Sequence, residues 1–354
     1  MTRLRNIQSF SLDEFRSIHG PLIDIRSPKE YSQGHWPGAV NIPLFNNRER
    51  EHIGLTYKEK GQKEAISIGI QLIIPKIDVL KYSIETLNNE LQSNNKTTKS
   101  VCLKIYCWRG GMRSKSMVWL VKVLGLNAIQ LKGGYKTYRK WALKQFDKNW
   151  PIRLIGGKTG SGKTNLLHAL ALEGISTIDL EGLASHKGSS FGSLGPSIQP
   201  SCEHYENLLA ESLNSLTEKS NNPIWLEDES PNLGNCRIPN GLTKQMKEAP
   251  LIEIIRTKEE RIEELVRVYS QYPQSKLKEA TIRIKNRLGP QRTKIALDAI
   301  SEGKWDIACS AILDYYDRCY NYHLEKVDQR KKIDLSGLKI DIAVKTLIKQ
   351  GLVY

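Results

Sequence analysis

From residue 20 onward, short apolar runs alternate with longer stretches whose apolar residues recur at three- and four-residue spacing. PLIDIR predicts a buried strand, the span from Ala65 through Leu91 a mostly helical stretch, LQSNNKTTKS a polar loop, and VCLKIYC a second buried strand. SKSMVWLVKVLGL then predicts a helix stopped by Gly125, NAIQLKGG a strand and turn, and YKTYRKWALKQF a further helix. Strands alternating with helices in this way predict a parallel sheet covered on both faces.

The pattern restarts at DKNWPIRLIGG with a turn followed by a strand, which puts a boundary near Asp147. Residues 1–147 and 148–354 therefore read as two α/β domains, as a chain of 354 residues suggests. Alternation in the second domain runs to about Thr257. Beyond it, KEERIEELVRVY, SKLKEATIRIKNRLG and KWDIACSAILDYYDRCYNY predict a basic, mostly helical C-terminal region.

Charge narrows the class of partner. Fifty-three Lys and Arg against 38 Asp and Glu give +15, which favours a polyanion such as nucleic acid and recruits small phosphates, without choosing between them. No run approaches the roughly 20 apolar residues of a membrane span, and MTRLRNIQSFSLDEF carries no apolar export core. The cysteines at 102, 107, 202, 236, 309 and 319 form no CxxC pair and no zinc-like cluster. The expectation is a reduced, cytoplasmic protein with no membrane segment and no structural metal.

GGKTGSGKT matches the Walker A pattern, Gly157 and four residues before Gly162, Lys163 and Thr164. By composition such a string arises by chance on the order of once per hundred chains of this length, and here a strand, PIRLI, precedes it and a helix, NLLHALALEG, follows. The backbone of Gly157, Lys158, Thr159, Gly160, Ser161 and Gly162 can converge on phosphate oxygens, with Lys163 adding a point charge and Thr164 a ligand for Mg²⁺. PIWLEDES offers Glu227, Asp228 and Glu229 as the acidic partner at the end of a later strand, and spacing does not choose among them. LEGLASHKGSSFG has the composition of an anion-contacting loop or of a plain surface loop.

The other candidate is YCWRGGMRS. Cys107 follows a buried strand, and Trp108, Arg109, Gly110, Gly111 and Met112 separate it from Arg113. Such a loop can turn successive N–H groups inward, with the dipole of the next helix adding positive potential, so that a thiolate is stabilised as a nucleophile. Arg113 can close on a tetrahedral oxyanion; Arg109 can do the same or face solvent. Cys102 reads as a core cysteine at a strand end.

These residues carry a resemblance. LIDIRSPKEYSQGHWPGAVNIP resembles the signature of a rhodanese domain, in which Asp24, Arg26 and Glu30 are structural. The C-x5-R length is also similar to dual-specificity phosphatases, except that Tyr106 stands where those enzymes have His. A rhodanese domain followed by a P-loop domain resembles the tRNA 2-selenouridine synthase family along the whole chain, through CWRGGMRS, GGKTGSGKT, HKGSSFG and EDES. Lys187 replaces an expected Arg, and Pro231-Asn232 an expected basic residue.

The resemblance implies a rhodanese-like parallel-sheet domain, then a P-loop NTPase-like α/β domain with a helical C-terminal region. It implies a transferase that converts wobble 2-thiouridine to 2-selenouridine in tRNA for Lys, Glu and Gln. An S-geranyl intermediate would form from geranyl diphosphate, and selenophosphate from a selenophosphate synthetase would load Cys107 as a perselenide. The Walker loop would hold the geranyl diphosphate; ordinary ATP or GTP binding there is the competing assignment. Arg283, Lys285, Arg287, Arg292 and Lys294 are candidates for phosphate contacts with tRNA, and Trp108 and Tyr135 for stacking on a splayed base. A sulfurtransferase coupled to nucleotide hydrolysis and a non-catalytic nucleic-acid-binding protein are the alternatives. Oligomeric state stays open.

Overall fold

Short runs rich in Ile and Leu, too brief for helices, pair side by side in two separate parallel sheets. The computed structural model describes residues 7–94, 101–195, 198–217, 222–324 and 329–354. The chain divides into two compact units, Met1–Lys144 and Gln145–Tyr354. In the first, β1 (Ser9–Phe10), β2 (Leu22–Asp24), β3 (Val40–Asn41), β4 (Cys102–Tyr106) and β5 (Asn127–Leu131) lie in the order β1-β5-β4-β2-β3. Every neighbouring pair is parallel. Central β4 buries Leu103 and Ile105 against Ile23, Ile25 and the inner face of helix Met112–Val123, with Met117, Val118 and Val121.

The helical stretch read between Ala65 and Leu91 is two helices, Gln62–Ile73 and Ile77–Asn94, joined by a 3-10 turn at Ile74–Lys76. Pro75 accounts for the break, since it lacks the N–H that a continuous helix needs. Of the polar loop read in LQSNNKTTKS, the first four residues instead continue the helix Ile77–Asn94, and residues 95–100 lie outside the described residues, as do residues 1–6.

In the second unit, β6 (Ile152–Gly157), β7 (Thr177–Ile178), β8 (Ile224–Glu227), β11 (Leu251–Ile255) and β12 (Arg330–Asp334) are ordered β12-β11-β6-β8-β7, again all parallel. A small antiparallel hairpin, β9 (Asn232–Leu233) with β10 (Cys236–Arg237), follows the acidic stretch. The region past Thr257 is mostly helical, as read, and β12 is the one strand within it among the described residues. RKKID is too polar to announce a strand, yet as an edge it pairs along all of β11, with Arg330 Nε 3.6 Å from the buried Glu253. The final helix, Ile340–Lys349, packs Ala343, Val344 and Leu347 against Leu166, Leu167 and Leu170 of helix Lys163–Leu172.

The helical region is thus an excursion between β11 and β12. Helices Lys258–Tyr269, Gln274–Arg283, Lys285–Leu288, Pro290–Glu302 and Trp305–Leu324 gather around Leu277, Ala280, Ile284, Ala299, Ile300 and Ala308. Among the described residues no helix is long and apolar enough to cross a membrane.

Candidate functional site

Two loops leave the C-terminal ends of the two central strands, the place where parallel sheets present ligand sites. In the first unit the chain leaves β4 at Cys107, passes Trp108–Gly111 and enters helix Met112–Val123. Among the described residues, the N–H groups of Trp108 through Met112 donate to no protein acceptor, which is the arrangement of an anion nest at a helix N-terminus. Gly110 makes the turn possible: its φ is +63°, and a Cβ there would sit 2.5 Å from the Leu131 carbonyl oxygen.

Cys107 is only 2% exposed and packs into the core of this unit. Its Sγ lies 3.2 Å from the Ser114 hydroxyl. Gln130, fully buried on β5, donates to Ser114 Oγ at 2.7 Å and to the Gly110 carbonyl at 2.6 Å, tying thiol, loop and neighbouring strand together. From the other side Tyr135 N–H donates to the Cys107 carbonyl at 2.8 Å. Gly134, at φ +60°, approaches so closely that a Cβ would stand 2.2 Å from that same carbonyl oxygen. Ser114, Gln130 and Gly134 were not singled out by sequence.

Asp24 and Arg26 form a fully buried pair at 2.7 Å, and the guanidinium lies 3.8 Å from the centroid of the Tyr135 ring. Pairing of this kind offsets the cost of burying both charges. Glu30 closes the capping box of helix Pro28–Gln33 with Ser27. It also accepts from Arg113 at 3.0 Å, which holds it below the usual carboxylate range despite its burial. Arg113 is therefore engaged by Glu30 at the rim of the nest. Arg109 and Met112 are exposed, Trp108 is exposed at 36%, and Tyr135 is fully buried beneath it, with ring centroids 5.7 Å apart.

In the second unit, β6 runs into the Walker loop and helix Lys163–Leu172. Gly157, Gly160 and Gly162 all take positive φ; at Gly160 a Cβ would meet the Arg261 carbonyl oxygen at 2.7 Å. Lys163 Nζ donates to the Gly157 carbonyl at 3.0 Å. Behind the loop, buried Arg261 donates to the Thr159 carbonyl and forms a two-pronged pair with Asp317 at 2.6 and 3.0 Å, anchoring the loop to helix Trp305–Leu324. Lys158, Ser161 and Thr159 complete the same turn, with Lys158 4.0 Å from Asp317.

Among the three acids left open by spacing, Glu227 is the one on the loop. It ends β8 beside β6 and accepts from Thr164 Oγ1 at 2.5 Å. Asp228 turns toward Gly156 and Tyr320, and Glu229 toward Gly188. Glu181, unforeseen, approaches Thr164 Oγ1 at 3.4 Å from helix Leu180–Ala184, which Asp179 caps. Burial and then the charge of Glu229 push both Glu181 and Glu227 above the usual carboxylate range. Among the described residues, the buried Glu227 Oε2 has no hydrogen-bond partner. LEGLASHKGSSFG therefore starts as a short helix and continues along the cleft, where Lys187 and Ser189 join the Walker residues around a cavity of about 790 Å³. Burial holds Lys187 below the usual lysine range.

Of the candidate tRNA contacts, Arg283, Lys285, Arg287 and Lys294 are exposed on consecutive helices, whereas Arg292 is half-buried and 4.0 Å from Asp314.

Residues 11–141 match the model of the rhodanese-like domain, and residues 150–346 match that of the tRNA 2-selenouridine synthase AAA domain. The tRNA 2-selenouridine synthase of Sulfurovum sp. (strain NBC37-1) is 35% identical over 349 residues, covering 88% of this chain and 92% of that one. Its namesake from Hydrogenovibrio crunogenus (strain DSM 25203 / XCL-2) is 34% identical over 368 residues, covering 92% and 95%. Among solved structures, a rhodanese-like domain protein from Staphylococcus aureus aligns with 37% of this chain and 90% of its own, at 20% identity and a TM-score of 0.21. On the family model and the near full-length identity together, this chain belongs to the tRNA 2-selenouridine synthase family.

Proposed function

We propose that the chain converts wobble 2-thiouridine to 2-selenouridine in tRNA for Lys, Glu and Gln, one step on each loop. The observation that carries the reading is the pairing of two anion cradles of unlike chemistry, one holding a thiol and one a lysine. At the Walker loop the ligand is geranyl diphosphate. The thiouridine sulfur attacks geranyl C1, an S–C bond forms, the C–O bond breaks, diphosphate leaves with the electron pair, and the N3 proton passes to solvent. Lys163 and the loop amides are aimed at the charge that develops on the diphosphate.

The oxygen-rich corner fits Mg²⁺, a hard cation that keeps several waters. Thr164 and the unpartnered Glu227 oxygen would hold it, and it would supply charge neutralisation for a diphosphate. Among the described residues no three His, Cys, Asp or Glu converge as a closed metal site, so most ligands of such an ion would be phosphate and water.

Selenation falls to Cys107. Selenium in selenophosphate is already at the selenide level, and a perselenide on Cys107 stands two electrons above it, which would require an oxidant. The redox-neutral course has the Cys107 thiolate attack phosphorus: an S–P bond forms, the P–Se bond breaks, and selenide leaves with the electron pair. Selenide adds to C2 of the geranylated base and expels geranylthiolate, while water cleaves the phosphocysteine to phosphate and thiolate. The loop amides suit a tetrahedral phosphoryl group, and Ser114, held by Gln130, is placed to donate to the thiolate.

The test is mass spectrometry of thiolated tRNA incubated with the protein, geranyl diphosphate and selenophosphate. Sequential S-geranyl and selenouridine products are expected without added nucleotide; strict dependence on ATP or GTP would sink the Walker-loop assignment. The isotope pattern of any adduct on Cys107 separates phosphorus from selenium.

A further inference from the structure

Beside the Walker loop lies an apolar cavity of about 60 Å³, sunk among the helices of the excursion between β11 and β12. Five residues, Thr159, Ser189, Leu265, Tyr269 and Tyr316, line both it and the phosphate cleft, so the two spaces share a mouth. Inward from that mouth stand Leu277, Ile300, Ala308, Cys309 and Leu313. Burial pushes the Cys309 thiol up to about 11, as expected of a dry wall. A nucleotide base needs hydrogen-bond partners along its edge, and this lining is hydrocarbon and aromatic almost throughout.

Resting on the diphosphate reading above, we infer that this cavity takes the distal isoprene unit of the prenyl tail and sets the chain length transferred. Its volume matches about five water-sized groups at roughly 10–15 Å³ each, one isoprene unit and no more. The first isoprene unit would then lie at the mouth, between Leu265, Tyr269 and Tyr316, with the diphosphate on the Walker loop. Ala308, 4% exposed, is the smallest side chain on the wall, so any enlargement there shortens the space.

Calorimetry on the full chain with Mg²⁺ compares inorganic pyrophosphate with dimethylallyl, geranyl and farnesyl diphosphates. At about fourfold per buried CH₂, geranyl diphosphate should bind at least about fiftyfold tighter than dimethylallyl diphosphate, and farnesyl diphosphate no more than about threefold tighter than geranyl. Ala308→Leu should weaken geranyl diphosphate by about tenfold or more and leave pyrophosphate within about twofold, with Ala308→Val in between. The wild-type series stands even if the leucine variant does not fold. Affinity that ignores tail length, or folded Ala308 variants with the wild-type series, would overturn the cavity assignment alone. Failure of all four diphosphates to bind, with ATP or GTP binding instead, would overturn the underlying reading.

Discussion

The thiol loop and the Walker loop have the same frame and opposite surroundings. Each leaves the central strand of a five-stranded parallel sheet, turns on glycines at positive φ and ends at a helix N-terminus. Next to Cys107 the supporting groups are neutral, a serine and behind it a glutamine, and the charges at the rim, Arg113 and Glu30, pair with each other. Around Lys163 and Thr164 stand Glu181, Glu227 and Glu229. The difference teaches that an anion cradle does not specify its chemistry. On the proposed assignment, a loop with its own nucleophile would need only donors for the oxyanion, whereas a loop whose nucleophile arrives from outside would need a cation for the leaving group and carboxylates to hold that cation.

The largest effect should come from Cys107→Ser, which ought to cut selenium incorporation by at least about a thousandfold while leaving geranylation intact, read by mass spectrometry of the tRNA. Lys163→Ala should do the reverse, lowering geranyl transfer by about 10²–10³ and sparing selenation of tRNA that is already geranylated. A smaller contrast separates the two frames. Gly134→Ala brings a Cβ to 2.2 Å from the Cys107 carbonyl and should destabilise the first unit by a few kcal/mol, whereas Gly162→Ala meets no atom within 4 Å and should cost only the strain of φ +77°, about 1–2 kcal/mol. Denaturant unfolding of each variant checks the pair.

The acidic side of the comparison makes a pH prediction. Glu181 and Glu227 titrate above the unfolded carboxylate value, so the folded chain binds more protons than the unfolded one and loses stability as pH rises from about 4.5 through neutrality. Glu181→Gln should therefore raise the melting temperature by a few degrees at pH 8 without ligand and change it little near pH 4.5. The smallest effect is expected from Arg283→Ala, which should weaken tRNA binding uniformly and reduce the salt slope by about one phosphate contact.

Much of this was legible in the sequence because each loop is a contiguous string between a strand and a helix. GGKTGSGKT and YCWRGGMRS carry their own turns, and each is flanked by the strand and helix that its pattern predicts. The supporting residues were not legible, because strand pairing and helix packing bring them from afar. Gln130 reaches Gly110 from the next strand, Arg261 reaches Thr159 across 102 positions, and Glu181 reaches Thr164 from beyond β7. One left a faint trace: Gln130 is a polar residue within an apolar strand, whereas Glu181 sits three positions past β7, inside the short helix that Asp179 caps. β12 was hidden because an edge strand can be polar at nearly every position: in RKKID only Ile333 is apolar.

The central claim is that two loops perform two separable steps, and complementation tests it most directly. Folded Cys107→Ser and Lys163→Ala proteins are mixed with thiolated tRNA, geranyl diphosphate and selenophosphate, and 2-selenouridine is measured against each variant alone. The account predicts product from the mixture and essentially none from either variant by itself. A mixture as inactive as its components would contradict it.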